Sequence, residues 1–174
     1  MSDINAIRSA IRDVPDFPTP GVLFKDITPV LADPAHFHTT IRLLAEKIAG
    51  TGVTHIAGIE ARGFILAAPV AALLGLGFIP IRKKGKLPWK TMSAEYALEY
   101  GEATVEIHED AIRPGEKVAI IDDVLATGGT AAAAVKLLRL CEAEVALAAF
   151  LMELTFLDGR KNLPGTRIES LISY

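Results

Sequence analysis

Two adjacent carboxylates and a glycine turn lie between an apolar run and an alanine-rich segment. Residues Val118–Ala131 read VAIIDDVLATGGTA. The apolar run Val118–Ile121 is typical of a strand buried on both faces, so Asp122 and Asp123 are expected at its carboxyl end, where open α/β sheets bind ligands. The following turn offers backbone N–H groups, two hydroxyls and the positive end of a helix; its residues are Ala126, Thr127, Gly128, Gly129 and Thr130.

This order of groups predicts a cradle for a phosphate monoester joined to a sugar. Carboxylates repel a phosphate, but they accept hydrogen bonds from sugar hydroxyls or hold the water of Mg²⁺. The expected ligand is a ribose 5-phosphate unit. An acid pair after a strand also occurs in P-loop proteins, but the chain contains neither GxxxxGK[ST] nor GxGxxG. A glycine turn alone can be purely structural; the complete run of strand, acids, turn and helix favours a binding site.

A second candidate anion site includes a charged side chain that could bind the anion directly. The residues Glu60, Ala61, Arg62 and Gly63 follow an apolar run and precede a helical one. Arg62 can form bidentate hydrogen bonds with a diphosphate, and Gly63 lets the backbone come close. Further along the chain, the basic residues between Arg82 and Lys90 could neutralise a leaving diphosphate. The alternatives are a surface arginine at a helix start and a solvated basic face.

The elements that would position these groups alternate between β and α. The predicted helices are 34–50, 63–74 and 130–143, after a short amphipathic helix near the N-terminus, and the predicted strands are 54–59, 78–82, 118–121 and 145–151. Such alternation predicts a doubly wound, mainly parallel sheet flanked by helices. Residues 95–108 read as an inserted β-hairpin that could act as a lid, and the 174 residues are expected to form one domain, 1–174.

Composition limits the possible partners. A net charge of −3 is unfavourable for binding nucleic acid. The N-terminus carries acids and lacks a signal-type apolar region, and the apolar stretch 64–79 is shorter than the ~18 residues of a membrane span. Cys141 is the only cysteine and reads as a core thiol. We therefore expect a cytoplasmic protein that binds small molecules and neither nucleic acid nor membrane.

The segment Val118–Ala131 closely resembles the phosphoribosyl diphosphate motif of the type I phosphoribosyltransferases. Four further segments are similar to the adenine-specific members of that family, in the same order: FPTPGVLFKDITP (Phe17–Pro29), GIEARGF (Gly58–Phe64), IRKKGKLP (Ile81–Pro88) and LEYG (Leu98–Gly101). The resemblance covers essentially the whole chain. It implies transfer of the 5-phosphoribosyl group from 5-phosphoribosyl 1-diphosphate to adenine, giving AMP and diphosphate, with Mg²⁺ and in a homodimer.

The resemblance also implies roles for individual residues. Arg82 and Lys86 would reach the diphosphate together with Arg62, partly across the dimer interface. Glu99 would transfer a proton at the purine, with Tyr100 beside it on the lid. A hood formed by residues 1–34 and the C-terminal segment would bind adenine through Leu23, Phe24, Lys25 and Leu154. Phe24 is suited to stacking on the base, with core packing as the alternative, and Lys25 stands where many relatives carry arginine.

Two other functions remain open on the sequence. A 6-oxopurine transferase would use the same donor site but would need groups that read O6. A ligand-sensing regulator would keep the sugar-phosphate cradle without catalysis. The presence of Glu99 and Arg62, and the absence of an appended nucleic-acid-binding domain, favour the enzyme.

Overall fold

The structure is a computed structural model that describes residues 3–97 and 102–174. It forms two compact units, Met1–Leu43 and Leu44–Tyr174. The division into two units does not test the expectation that the 174 residues form one domain, which stays a prediction. No helix in the described ranges is both long enough and apolar enough to cross a bilayer.

The first unit begins with a short helix and a β-ribbon. The elements are α1 Asp3–Ala10, β1 Arg12–Pro15, β2 Leu23–Asp26, α2 Thr28–Ala32 and the start of α3 Pro34–Ile48. Strands β1 and β2 pair antiparallel, with Val14 opposite Phe24. The stretch Phe17–Pro29 contains strand β2 and the beginning of helix α2. Asp33 accepts a hydrogen bond from the backbone N–H of His36 (2.8 Å) and caps α3.

The second unit is built on one seven-stranded sheet. Its strands lie in the order β5-β6-β4-β3-β7-β8-β9. Neighbouring strands pair parallel along β4-β3-β7-β8-β9, whereas β6 pairs antiparallel with both β4 and β5. The predicted doubly wound, mainly parallel α/β fold is confirmed. The elements are β3 His55–Ile59, α4 Arg62–Leu74, β4 Gly77–Lys83, β5 Thr91–Ala97, β6 Glu102–His108, β7 Lys117–Leu125, α5 Gly129–Leu140, β8 Glu144–Glu153 and β9 Ile168–Ser173, with 3₁₀ turns at Thr155–Leu157 and Gly159–Asn162.

Strand β7, in the interior of the sheet, has four consecutive buried residues near its start. Val118–Ile121 is completely buried, as expected for a parallel strand covered on both faces. Helix α4 contacts β3 and β7, and helix α5 contacts β5, β6, β7 and β8. The alanines of α5 let it approach the sheet closely, since Ala131, Ala133 and Ala134 are all buried. The core is therefore aliphatic, and it fixes the strand ends from which the polar loops emerge.

Three details differ from the sequence predictions. Strand β7 continues to Leu125, so Asp122 and Asp123 lie within the strand and not just after it. Strand β9 is absent from the sequence predictions. Its short sequence has no strong strand pattern, and it is separated from β8 by turns and irregular structure. Glu106, which alternation places on the polar side of the hairpin, is only 7% exposed; its carboxylate accepts a hydrogen bond from the backbone of Gly85 at 2.9 Å.

Candidate active site

A cavity of about 460 Å³ opens at the carboxyl ends of β3 and β7. These strands are neighbours, and their pairing ends with Gly58 opposite Ile121. Beyond that point β7 pairs only with β8 and no longer with β3. The edge of β7 that faces β3 is therefore open to a ligand. The lining residues are Ile59, Glu60, Ala61, Arg62, Lys83 and the whole run from Asp122 to Ala131.

One wall of the cavity is the phosphate loop, which we define as Ala126–Thr130. All five of its residues line the cavity, as the sequence predicted. Gly128 precedes the first residue of α5 and has φ +83°, a left-handed conformation that favours glycine. Its carbonyl accepts a hydrogen bond from Ala132 N (2.8 Å), which begins the helix. The loop therefore presents a helix N-terminus to the cavity, a favourable place for a phosphate.

The two carboxylates of β7 lie in different surroundings. The backbone N–H of Asp123 donates to Asp122 Oδ1 at 2.9 Å. Burial, together with the neighbouring Asp123 carboxylate, raises the pKa of Asp122 well above its ordinary value. Asp123 is 3% exposed and accepts a short hydrogen bond from Arg62. Of the two acids, Asp123 therefore carries the ion pair.

A second wall is the charged loop, which we define as Glu60–Gly63. Arg62 Nε donates to Asp123 Oδ2 at 2.5 Å, so one predicted diphosphate residue is joined to a predicted ribose residue. The Arg62 side chain is 46% exposed in spite of this ion pair. Gly63 is needed here because a Cβ would stand 2.8 Å from Asp122 Oδ1 and 2.9 Å from the Ile121 carbonyl. The charged loop thus packs directly on β7.

The basic residues at the end of β4 and just after it make different contacts. Arg82 Nε donates to Glu60 Oε2 at 2.6 Å, and Arg82 Nη1 donates to the Lys86 carbonyl at 2.9 Å. Lys86 itself is exposed and contributes its backbone to this contact. Lys83, which we did not single out, lines the cavity. No sequence pattern distinguishes Lys83 from the neighbouring lysines, because the conformation at the end of β4 decides which of them faces the cavity.

The predicted base-binding residues of the first unit lie on β2. Leu23 is half exposed, and the Phe24 ring contacts the edge of Phe17, with ring centroids 5.2 Å apart. Lys25 donates to Asp13 Oδ1 at 2.6 Å across the β-ribbon. Phe24 is therefore partly held by an aromatic neighbour within its own unit, and Lys25 by a carboxylate.

The remaining predicted residues belong to other segments. Leu154 follows β8 and is half-buried; its N–H donates to the Leu125 carbonyl at 2.9 Å. Glu99 and Tyr100 lie outside the described residues. The two strands that lead to them, β5 and β6, pair from Thr91 opposite His108 to Ala97 opposite Glu102. The hairpin is thus longer than the predicted 95–108.

Within residues 3–97 and 102–174, no group of three or more histidine, cysteine, aspartate or glutamate side chains is arranged to hold a metal ion. The cavity does contain the adjacent carboxylates of Asp122 and Asp123. Two carboxylates with open space beside them suit Mg²⁺, which keeps several waters and takes other oxygens from substrate phosphates.

Comparison with known proteins assigns the chain and its fold to one family. The family model described as "Phosphoribosyl transferase domain" matches residues 28–162. An adenine phosphoribosyltransferase of a Parafrankia species is 65% identical over 161 residues, which are 92% of this chain and 88% of that protein.

Two solved structures have the same fold over their whole length. Adenine phosphoribosyltransferase from Thermoanaerobacter pseudethanolicus superposes with a TM-score of 0.96 at 51% identity, covering 98% of this chain and 99% of that one. The enzyme from Saccharomyces cerevisiae, complexed with D-2,5-dideoxy-2,5-imino-altritol 1,6-bisphosphate and adenine, gives a TM-score of 0.92 at 39% identity, with 97% and 98% coverage. The resemblance seen in the sequence is confirmed, and the chain belongs to the adenine phosphoribosyltransferase family.

Proposed function

We propose that the protein transfers the 5-phosphoribosyl group from 5-phosphoribosyl 1-diphosphate to adenine, forming AMP and diphosphate. The observation that carries this function is the single cavity in which the phosphate loop, the acid pair of β7 and Arg62 come together. It offers a phosphate site, acceptors for ribose hydroxyls and a cation for the diphosphate. The high identity to adenine phosphoribosyltransferases supports adenine as the acceptor.

The phosphate loop is proposed to bind the 5-phosphate through its backbone N–H groups and the hydroxyls of Thr127 and Thr130. Asp122 and Asp123 then accept hydrogen bonds from the ribose hydroxyls. The phosphate loop contains no acidic residue, and the two aspartates precede it in the chain. This order suits the assignment, since a carboxylate within the loop would repel the phosphate. The donor is thereby fixed at its sugar end.

The diphosphate is proposed to lie at the charged loop, Glu60–Gly63, with Arg62 as its principal cation and Arg82 and Lys86 as further ones. As the bond from C1′ to diphosphate breaks, negative charge grows on the leaving group and Arg62 stabilises it. Asp122 and Asp123 would hold Mg²⁺ through its water, and the bound ion would supply partial neutralisation of the diphosphate charge.

Adenine is proposed to bind in a hood formed by residues 1–34 and the C-terminal segment. Phe24 would stack on the base, the backbone at Leu23 and Lys25 would read its edge, and Leu154 would cover the other face. A ring nitrogen of adenine attacks C1′ and must lose a proton, which Glu99 on the hairpin lid accepts, with Tyr100 beside it. The same proton returns in the reverse reaction.

The active form is proposed to be a cytoplasmic homodimer. Three large apolar side chains support an interface on one stretch of the second unit: Ile65 on α4 is 41% exposed, Leu73 57%, and Phe78 on β4 36%. In such a dimer Arg82 and Lys86 would bind the diphosphate partly across the interface, as the family resemblance implies. A buried free thiol at Cys141 is consistent with a reducing compartment.

A purified sample given Mg²⁺, 5-phosphoribosyl 1-diphosphate and one base at a time tests the function. We expect AMP and diphosphate with adenine and no diphosphate release with hypoxanthine. Release with hypoxanthine but not adenine would assign a 6-oxopurine transferase. Binding of the donor without turnover on either base would assign a regulator.

The proton-transfer role has a test of its own. Glu99→Gln should slow turnover about 100-fold while leaving the KM of both substrates within about threefold, because general acid–base groups act in the transition state. Glu95→Gln, on the same hairpin and exposed, is the matched control. Normal turnover in the Glu99 variant would remove the role.

A further inference from the structure

A turn outside the cavity lining packs against the back of the phosphate loop. We define this bracing turn as Asp158–Asn162; it begins in the left-handed conformation at Asp158 (φ +55°) and continues as a 3₁₀ helix. Asn162 stands 35 positions from Thr127 in the sequence, yet its Nδ2 donates to the Thr127 carbonyl at 2.7 Å. None of its residues was expected to have a role.

The same turn touches the phosphate loop at two backbone positions. A Cβ on Gly128 would stand 2.3 Å from the Gly159 carbonyl oxygen, and a Cβ on Gly159 would stand 2.2 Å from the Ala126 carbonyl oxygen. Both distances are far below van der Waals contact, so only glycine fits on either side. The two backbones therefore lie against each other without intervening side chains.

The bracing turn is itself anchored to the end of the sheet. Arg160 forms two hydrogen bonds with Glu153, Nε to Oε1 and Nη2 to Oε2, both at 2.6 Å. Glu153 is 4% exposed and also accepts from Ser170 Oγ at 2.9 Å. These contacts hold the pKa of Glu153 below its ordinary value, with the Arg160 hydrogen bond as the largest cause. The next residue after the turn, Leu163, is buried in the core.

Peptide geometry connects these contacts to phosphate binding. In a trans peptide the C=O of one residue and the N–H of the next point in opposite directions. Asn162 does not line the cavity, so the Thr127 carbonyl that it holds points away from the cavity. The N–H of Gly128, in the same peptide, then points in the opposite direction. Thr127 and Gly128 both line the cavity, so that N–H is directed toward the ligand.

We propose that Asn162 and Gly159 are positioning residues for the phosphate loop: they fix the Thr127–Gly128 peptide so that its N–H meets the 5-phosphate of the substrate. The role rests on the proposed function for the identity of the ligand. It predicts an effect on the donor's phosphate end and none on adenine. Asn162 is exposed, so its replacement removes a loop contact without opening the core.

Asn162→Asp is the sharpest variant, because it keeps the shape of the side chain and removes the donor. Asn162→Ala removes the side chain, Gly159→Ala forces the two backbones apart, and Lys161→Ala is the matched control on the same turn, where Lys161 pairs only with the exposed Asp158 among the contacts described. We expect Asn162→Ala to weaken ribose 5-phosphate binding about threefold to tenfold, as befits one hydrogen bond. Asn162→Asp should weaken it more, since a carboxylate would face the Thr127 carbonyl.

The measurement is titration calorimetry with ribose 5-phosphate, followed by steady-state kinetics with both substrates. Support requires a raised Kd for ribose 5-phosphate and a raised KM for the donor, with the KM of adenine and the kinetics of Lys161→Ala unchanged. Amide hydrogen exchange should also rise in 126–130 and stay constant in 60–63. A lower melting temperature with unchanged ribose 5-phosphate binding would assign the turn a purely structural role and overturn the proposal.

The binding experiment also separates the two proposals. If the wild type binds ribose 5-phosphate but does not transfer to adenine, the proposed function fails, while the comparison of Kd values still decides the role of the turn. If the wild type does not bind ribose 5-phosphate, both fail.

Discussion

The two loops that border the cavity hold their shapes by different means. The charged loop, Glu60–Gly63, is fixed by side-chain ion pairs, Arg62 with Asp123 and Arg82 with Glu60. The phosphate loop, Ala126–Thr130, is fixed by backbone contacts with the bracing turn and by a left-handed glycine. Both follow neighbouring strands and both open a helix. The same architectural position can therefore be stabilised by charge or by backbone geometry.

This difference follows from what each loop is proposed to bind. A leaving diphosphate gains charge during the reaction, so cations that can exchange a carboxylate partner for the diphosphate suit it. The 5-phosphate keeps its charge throughout and needs only a fixed array of donors. We therefore expect substitutions in the charged loop to affect catalysis and substitutions in the phosphate loop to affect donor binding and loop shape.

The largest effect is expected from adding one methyl group to the phosphate loop. Gly128→Ala places a Cβ 2.3 Å from a backbone carbonyl at φ +83°, so both sterics and strain oppose it. We expect kcat/KM to fall about 1000-fold, equivalent to about 4 kcal/mol, mainly through the KM of the donor.

Gly75→Ala separates the two causes. Gly75 has φ +67° at the end of α4, and its Cβ would meet nothing within 4 Å. Strain alone should cost about 1 kcal/mol of unfolding free energy there, with normal kinetics. If Gly128→Ala behaves like Gly75→Ala, contact with the bracing turn has no importance for the site.

The next effect tests the charged loop. Arg62→Lys keeps the charge but loses the planar guanidinium that pairs with the buried Asp123. We expect kcat to fall about 100-fold, because lysine cannot make the planar contact by which Arg62 stabilises the leaving diphosphate. The Kd of ribose 5-phosphate should change little. Arg167→Lys, in a surface pair with Glu169, is the control. A change confined to ribose 5-phosphate binding would reverse the comparison between the loops.

A smaller effect should appear in the pH dependence of stability. Because burial and then Asp123 raise the pKa of Asp122, the folded protein holds its proton to higher pH than the unfolded chain does. The stability of the wild type relative to Asp122→Asn should therefore fall as pH rises above the ordinary value of 3.8, by at most about 1.4 kcal/mol per pH unit, until the raised pKa is passed. Denaturant titrations between pH 4 and pH 8 measure it. A constant difference would mean that the pKa of Asp122 is the same in the folded and unfolded states.

The smallest effect concerns the basic residues beyond the charged loop. Among the described residues Lys83 lines the cavity and Lys84 does not. Lys83→Ala should raise the KM of the donor about threefold at low salt and less at high salt, because a partly exposed charge is screened. Lys84→Ala should leave the KM unchanged. Equal effects from both lysines would indicate general electrostatic attraction and no specific contact.

Much of the fold could be predicted because its signals are local. The buried run Val118–Ile121, the helical periodicity after Gly63 and the hairpin alternation each lie within a few neighbouring residues. The parallel sheet then follows from the alternation of strands and helices. Strand β9 could not be predicted, because it is stabilised by pairing with β8 and not by a strong pattern of its own.

The site was predictable to the same extent. The phosphate loop and the acid pair were identified because their residues are contiguous, and the structure places all seven of them on one cavity. Lys83 was missed because four basic residues stand close together and only the end of β4 decides which one faces the cavity. Glu106 and Asn162 were missed because an isolated polar residue gives no signal of the backbone group it will hold.

By itself, the sequence determined the alternation of strands and helices from β3 to β8, the identity of the phosphate loop and the family to which the chain belongs. These depend on short spacings and on residue types that chemistry requires. The tertiary structure alone decided the partners: Arg62 with Asp123 across 61 positions, Arg82 with Glu60 across 22, and Asn162 with Thr127 across 35. Such contacts depend on how separate elements pack, and no local pattern encodes the distance between two side chains that only the folded sheet brings together.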